Sequence, residues 1–349
     1  MDLRFLVRTF CATYNHESYI TDALKGFVMQ ETSFPVVYTI VDDASTDRTA
    51  MVMREFVKEN FDLENSLIAY EKDTDYGHVT FAQHKTNDNC YFAVVYLKVN
   101  HYSQKKSKKP YLTEWIDTKY VALCEGDDYW TDPAKLQKQV DYLEEHEDCC
   151  MCTHSANWES QGSVYQYGCR YDFPCDLTTE EVIKNGGLYL ATNSLVYRSW
   201  LKDDMPRWRK ESSVGDFPLQ ILGTLRGKLH YLPETMSVYR FMREGSWTTK
   251  HFDQMETDTS VKYAKNKVFW FDLLDKDTNY QFTRTIYSYL FPSYNILFNA
   301  HEVSFSDYFR AAMKADEKHY GRVFKDFLIR YFKPCYKMCL LFGVKKIDR

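Results

Sequence analysis

The first half of the chain alternates short apolar runs with polar turns and amphipathic stretches. Arg4 to Phe10 reads as a strand that ends in the polar turn Thr13-Tyr14-Asn15, after which Ile20, Ala23, Leu24, Phe27 and Val28 recur at helical spacing. Phe34 to Val41, "FPVVYTIV", is β-branched and apolar, which predicts a buried strand running into "DDASTD". Val52 and Phe56 then share one face of a helix-compatible stretch, and Ser66 to Tyr70 and Tyr120 to Cys124 are further strand candidates. Asp132 can cap a helix that opens at Pro133 and continues through Leu136, Val140 and Leu143.

Strand, helix, strand, helix, strand predicts an α/β fold with a mostly parallel sheet flanked by helices. In such sheets ligands lie beyond the carboxyl ends of the strands. Thr13-Tyr14-Asn15, Asp42-Asp43 and Glu125 to Asp128 each follow a predicted strand, so all three are expected to meet on one rim. From about Thr249 the pattern changes to helices rich in aromatics with lysine and arginine interspersed. The expected division is a domain over 1–248 and a C-terminal helical extension over 249–349. The last helical run, from Gly321, is amphipathic and basic; it can pack its apolar stripe on the domain or lie on a membrane surface.

Composition narrows the function classes. The chain has 349 residues, of which 44% are hydrophobic and 27% charged, as in an ordinary globular protein. Its formal net charge of −5 argues against nucleic acid as a partner, since tracking phosphates needs a basic excess. "MDLRFLVRTF" does not read as a secretory signal, and no run approaches the ~20 apolar residues of a membrane span. Ten cysteines are scattered rather than set in a compact framework, which suggests reduced thiols and a cytoplasmic location. "CCMCTH" lacks the usual C-x₂-C spacing of zinc sites, so buried thiols are expected there. "QKKSKKP" (Gln104 to Pro110) reads as a solvated basic connection, with a phosphate- or membrane-facing role as the alternative.

The acidic stretch carries the chemistry. "CEGDDYW" places Glu125, Asp127 and Asp128 within four positions, directly after a strand. Carboxylates so close repel one another unless water screens them or a cation sits among them. No G-x-G-x-x-G or G-x-x-x-x-G-K-[ST] follows the first strand, which weakens a dinucleotide or P-loop reading.

"TFCATYNHESYITDAL", "VDDASTDRT" and "ALCEGDDYWTDPAKLQKQVDYLE", in that order and spacing, resemble the family 2 glycosyltransferases with the GT-A fold, a Rossmann-like α/β fold, over about Leu3 to Trp247. The resemblance implies transfer of a sugar from a nucleotide-sugar donor to a hydroxyl of a glycan or lipid-linked acceptor, with inversion and with Mg²⁺ or Mn²⁺. It implies that Thr13, Tyr14 and Asn15 line the nucleotide pocket and that Asp43 holds the uracil or ribose. Asp127 and Asp128 match the end of the D-x-D-type segment, contacting ribose and metal, with Glu125 as its first acid. Asp216 in "SSVGDFPLQI" matches the catalytic base. Arg240 and Trp247 in "SVYRFMREGSW" match a loop that closes on the diphosphate, and Met242 stands where the family often has histidine. Trp130, and Asn193 in "TNSLVYR", are the acceptor-side candidates. UDP is the family's commonest nucleotide, with GDP and dTDP open, and the C-terminal helices are candidates for peripheral contact at the inner face of a membrane. Two alternatives stand beside this reading: a non-catalytic nucleotide-sugar-binding homologue, and a sugar nucleotidyltransferase, against which "TFCATYNHE" offers no glycine-rich phosphate loop.

Overall fold

The computed structural model describes residues 4–160, 162–169, 171–241, 257–315 and 319–331. The chain divides into two compact units. One comprises Met1–Thr178, Gly187–Asp204 and Leu222–Glu244; the other comprises Thr179–Gly186, Met205–Ile221 and Gly245–Arg349.

The first unit holds a mixed sheet of thirteen strands among the described residues. Its centre is parallel: β1 (Val7–Thr13) lies between β2 (Val36–Asp42) and a strand at Tyr120–Leu123, and β2 pairs onward with a strand at Cys90–Leu97. The register sets Thr13 level with Asp42, and Asp42 level with Tyr96, so these strands end together. Between β1 and β2 runs α1 (Ile20–Val28), burying Ile20, Ala23, Leu24 and Phe27 as their spacing requires. α2 (Thr49–Asn60) follows β2 and buries Met53 and Val57.

The stretch between Tyr70 and Tyr120 builds an antiparallel flank. After the short β3 (Phe61–Asp62), β4 (Tyr70–Asp73) pairs with β5 (Gly77–His84), and β5 pairs with β6 (Cys90–Leu97). The strand expected over Ser66 to Tyr70 therefore begins only at Tyr70. Local turns win before it: Asp62 Oδ1 accepts from Glu64 N and Asn65 N, and the backbone N–H groups of Ile68 and Ala69 turn back onto Asn65 O.

β7 (Tyr120–Leu123) leads into the acidic loop and β8 (Tyr129–Trp130). The next helix, α3 (Lys135–Glu145), starts two residues later than Pro133, although Asp132 still serves its first turn by accepting from Ala134 N at 2.8 Å. Leu136, Val140 and Leu143 are buried as the pattern predicts. β9 (Cys149–Ser160) carries the hairpin strand β10 (Ser163–Gln166), and β11 (Cys175–Leu177) lies at the outer edge. α4 (Thr179–Asn185) precedes β12 (Val196–Arg198), which is antiparallel to both β7 and β9. After α5 (Arg207–Glu211) and α6 (Phe217–Arg226), the long β13 (Lys228–Arg240) runs parallel to β9.

Two cores follow from the two faces of the sheet. One packs Cys11, Tyr38, Ile40, Phe92 and Cys124 against Leu24, Phe27, Met53 and Leu136 of the helices. The other packs Val37, Val41, Phe81 and Val95 under a 3₁₀ turn at Lys109–Trp115, which contributes Leu112 and Trp115.

The second unit is helical. α7 (Thr257–Asp277), α8 (Thr283–Asn299), α9 (Phe305–Lys314) and α10 (Tyr320–Tyr331) follow in order. Trp270 and Phe271 stack at 3.8 Å, Phe217 packs edge-on to Trp270, and Trp208 Nε1 donates to Asp277 Oδ2 at 3.0 Å. No helix among the described residues is long and apolar enough to cross a membrane.

Candidate active site at the strand-end rim

The three polar segments meet where the parallel strands end. Gly126 N donates to Ala12 O at 3.0 Å and Cys124 N to Phe10 O at 3.3 Å, so the acidic loop extends the β1–β7 ladder upward. Asp43 N donates to Thr13 O at 2.9 Å, which extends the β1–β2 ladder in the same way. Gly126 is required by this approach: a Cβ there would lie 2.7 Å from both Thr13 Cβ and Oγ1.

The β1 turn and the β2 loop are locked together. Asn15 N donates to Ser45 Oγ at 3.0 Å, and Asn15 Oδ1 accepts from Thr46 N at 2.8 Å. His16 N donates to Thr49 Oγ1 at 2.7 Å, Glu17 N to Asp47 Oδ2 at 3.1 Å, and Arg48 N to Glu17 Oε2 at 2.8 Å. Asp42 supports the loop by accepting from both Ser45 N and Ser45 Oγ. Two residues of this knot, Asn15 at φ 55° and Ala44 at φ 60°, adopt left-handed backbone. Strain held at a ligand rim by surrounding bonds is a common mark of a built site.

Asp128 stands out in the acidic loop. It is fully buried; Oδ1 accepts from Arg240 N at 2.8 Å, while Oδ2 is buried with no hydrogen-bond partner among the described residues. Burial first, and then the charges of Asp127 and Glu125, push its carboxyl well above the usual range. The same environment raises the thiols of Cys11 and Cys124 beneath it, mainly through burial. Asp127 is 9% exposed, and its Oδ1 lies 4.0 Å from His16 Nδ1. Thr13 Oγ1 is likewise buried without a partner among the described residues.

These observations fit a divalent cation. A buried carboxylate oxygen without a donor, pressed by two neighbouring acids, is a ligand-quality oxygen for a hard metal ion. Among the described residues no three or more His, Cys, Asp or Glu side chains gather into a cage. The protein's share of a coordination sphere would then be Asp128 and Asp127, leaving the remaining positions to phosphate oxygens and water, as Mg²⁺ sites commonly do.

Arg240 closes the loop from β13. Its Nη1 donates to Asp127 O at 2.8 Å, its Nη2 pairs with Asp22 of α1, and its Nε lies 3.5 Å from Glu159 Oε2. The guanidinium also lies 4.5 Å from the centre of the Tyr129 ring. It thus links the acidic loop, through Asp127 O and the Tyr129 ring, to Asp22 of α1 and Glu159 of β9. Asp22 and Glu159 carry no motif of their own; their part appears only when α1, β9 and β13 converge.

Thr13, Tyr14, Asn15, Asp43, Asp127, Asp128 and Arg240 all lie on this rim. Tyr14 is 42% exposed there. Trp130 and Asn193 lie beneath it instead: Trp130 is 1% exposed, packs edge-on to Phe27, and donates from Nε1 to Asn193 O at 2.9 Å. Asn193 is fully buried and donates to Val238 O at 2.8 Å. Asp216 belongs to the second unit, where its Oδ1 accepts from Phe217 N at 2.8 Å. Burial first, and then Asp216, raise the Tyr263 hydroxyl to about 12. Trp247 and Met242 lie outside the described residues. A groove of about 870 Å³, lined by Val28, Ser33, Asn87 and Pro133 among others, lies at the opposite, amino end of the strands and contains none of the site candidates.

One basic segment departs from expectation. Lys108, within the connection expected to be solvated, is 14% exposed and lies 2.9 Å from Asp43 Oδ2. Asp43 is buried at the end of β2, and Lys108 supplies its counter-charge.

No protein-family model matches the chain. The uncharacterized protein Rv1520 of Mycobacterium tuberculosis is 33% identical over 250 residues, covering 69% of this chain and 60% of that protein. The uncharacterized protein Mb1547 of Mycobacterium bovis matches to the same extent. The chain therefore spans about 60% of the length of the curated relatives it matches. Among solved structures, S. aureus TarS 1–349 overlays with a TM-score of 0.49 at 16% identity, covering 95% of this chain and 93% of that one. The mannosyltransferase PcManGT from Pyrobaculum calidifontis, in complex with GDP-Man and Mn²⁺, overlays at 0.48 and 11% identity, covering 87% and 77%.

Proposed function

We propose that this chain is a glycosyltransferase that moves a sugar from a nucleotide-diphosphate sugar to a hydroxyl of a glycan or lipid-linked acceptor, in a single displacement with inversion. The observation that carries the reading is the Asp128 carboxylate: buried, crowded by Asp127 and Glu125, and held by one oxygen on Arg240 N, with the other left without a donor among the described residues. Such a charge cluster is costly unless a bound cation offsets it.

A divalent cation held by Asp128 and Asp127 would offset the negative charge that develops on a departing nucleoside diphosphate. The rest of the chemistry falls to the chain's own residues. The knotted β1 turn, with Tyr14 exposed, offers a wall for the nucleoside, and Arg240 holds the acidic loop in place. Asp216 is the proposed base. It takes the acceptor hydroxyl proton as that oxygen bonds to the anomeric carbon, while the bond from that carbon to the diphosphate oxygen breaks. General base catalysis of this kind contributes ~10²–10⁴-fold.

The test is nucleotide release from UDP-, GDP- and dTDP-sugars in the presence of Mn²⁺, for wild type and Asp216→Asn. Release from one donor class, reduced at least ~10²-fold in the variant with nucleotide affinity preserved, is expected. Equal release by wild type and variant would remove Asp216 from the mechanism, and no release from any donor would remove the transferase reading.

A further inference from the structure

Asp43 already has its hydrogen bonds. Oδ1 accepts from His101 N at 2.7 Å, Oδ2 accepts from Tyr102 N at 3.0 Å, and Lys108 Nζ lies 2.9 Å from Oδ2. The backbone is engaged as well: Asn100 Nδ2 donates to Asp43 O at 2.9 Å. The Asp43 side chain is 3% exposed. An ionised carboxylate offers about four acceptor positions. Three are taken here by protein donors, and little surface remains through which a ligand could reach the fourth.

The segment that surrounds Asp43 has its own internal ties. His101 Nε2 and the Tyr111 hydroxyl are 2.8 Å apart, the His101 ring packs edge-on to Tyr111, and Lys106 N donates to His101 O at 2.9 Å. Asn100 to Lys108 is thus fastened at both ends, so that it joins the end of β6 to the end of β2. Tyr102, whose N–H is bound to Asp43, presents a side chain that is 70% exposed. A carboxylate that reads a nucleobase must turn an acceptor toward the ligand, whereas one wrapped in backbone N–H groups and an ammonium fixes a loop.

We infer that Asp43 is a positioning residue. It latches the Asn100–Lys108 segment across the ends of β2 and β6, and that segment, with Tyr102 on its open side, forms the wall that selects the nucleotide. The inference rests on the proposed nucleotide-sugar reading for its ligand, but the latch can be measured without any ligand.

The experiment pairs two readouts on wild type, Asp43→Asn, Lys108→Met, Lys108→Arg and Tyr102→Ala. The first is the rate of trypsin cleavage after Lys105 and Lys106, mapped by mass spectrometry. The second is calorimetric affinity for UDP and GDP with Mn²⁺. Lys108→Met and Asp43→Asn are expected to speed cleavage about tenfold and to weaken the preferred nucleotide about fivefold or more. Lys108→Arg, which keeps the charge, should restore most of both. Tyr102→Ala should leave cleavage at the wild-type rate and change the UDP to GDP affinity ratio about tenfold.

Unchanged cleavage in both Lys108→Met and Asp43→Asn would overturn the latch. Tighter or unchanged UDP binding in Lys108→Met would also overturn it, because exposing the carboxylate would then have helped it act as a direct reader. An unchanged affinity ratio in Tyr102→Ala would overturn the selective wall. If wild type binds neither nucleotide, the wall falls together with the transferase reading, and the cleavage rates alone judge the latch.

Discussion

The backbone N–H of Arg240 donates to Asp128 Oδ1 at 2.8 Å across 112 positions of sequence. This one bond ties the last residue of a long strand to the most deeply buried acid of the rim, and among the described residues the second carboxylate oxygen has no donor. Asparagine at 128 would keep an acceptor for Arg240 while removing a charge that Asp127 and Glu125 oppose. Asp128→Asn is therefore expected to unfold at the wild-type temperature or a few degrees higher, and to lose at least ~10²-fold in nucleotide release. Thermal unfolding and turnover measured on the same preparation check this. A drop of several degrees would mark the carboxylate as a structural group.

Lys135 gives the clearest pH dependence. It is fully buried, bonded to Gln139 Oε1 at 2.8 Å and set 4.2 Å from the Trp130 ring centre, and burial pushes its ammonium from 10.5 down to about 7. Cys124, just after β7, and Cys152 and His154 of β9 face the same region, and the His154 imidazole is itself pushed well down, first by burial and then by Lys135. Between pH 7 and 10.5 the unfolded chain keeps the lysine proton that the folded chain has released, so this group's contribution to stability rises with pH across that window. Below it both states are protonated and the fold carries the full cost. Lys135→Met should therefore stabilise the protein by a few kcal/mol at pH 6, with the advantage shrinking toward pH 10. Chemical unfolding of both proteins across that range measures the difference; a pH-independent difference would contradict it.

Gly126 tests how tightly two strand ends meet. Alanine there would place Cβ 2.7 Å from Thr13 Cβ and Oγ1 and 3.1 Å from His16 Nδ1. Gly126→Ala is expected to cost about 1–3 kcal/mol and to weaken nucleotide binding, because the β1 turn and the acidic loop must separate. Adding Thr13→Gly removes the clash, so the double variant should be less destabilised than the sum of the two single ones.

Ala44 tests the strain in the β2 loop. Its φ of 60° is unfavourable for an L-residue with a Cβ. Ala44→Gly should stabilise by roughly 0.5 kcal/mol, the relief of left-handed strain exceeding the added freedom of the unfolded chain. Denaturant midpoints at constant slope check this, and a loss of stability would show that the methyl group packs to advantage.

Much of this site is legible along the chain because its parts are local. Strands β1, β2 and β7 announce themselves as apolar runs broken by polar turns, and the rule that ligands lie beyond parallel strand ends places Thr13, Asp43 and Asp128 together. The run Cys90–Leu97 is as apolar as any of these and is wholly buried, but periodicity alone does not say that it pairs next to β2. The remaining parts depend on long-range pairing. Lys108 looks like any solvated lysine until it is placed beside Asp43, and Asp22 and Glu159 acquire meaning only through Arg240. Trp130, in a run of polar residues, reads equally as a packed aromatic or an acceptor-side platform; the structure packs its indole against the stacked rings of Phe27 and Tyr38. An isolated charge or ring carries no signal of its distant partner.

The most direct test is calorimetric titration of UDP, GDP and dTDP, with Mn²⁺ and with a chelator, on wild type and Asp128→Ala. One nucleotide is expected to bind wild type with Mn²⁺, and that binding should be lost with the chelator and in the variant. Absence of binding to wild type in either condition, or binding indifferent to both chelator and substitution, would contradict a metal-assisted nucleotide-sugar site at this rim.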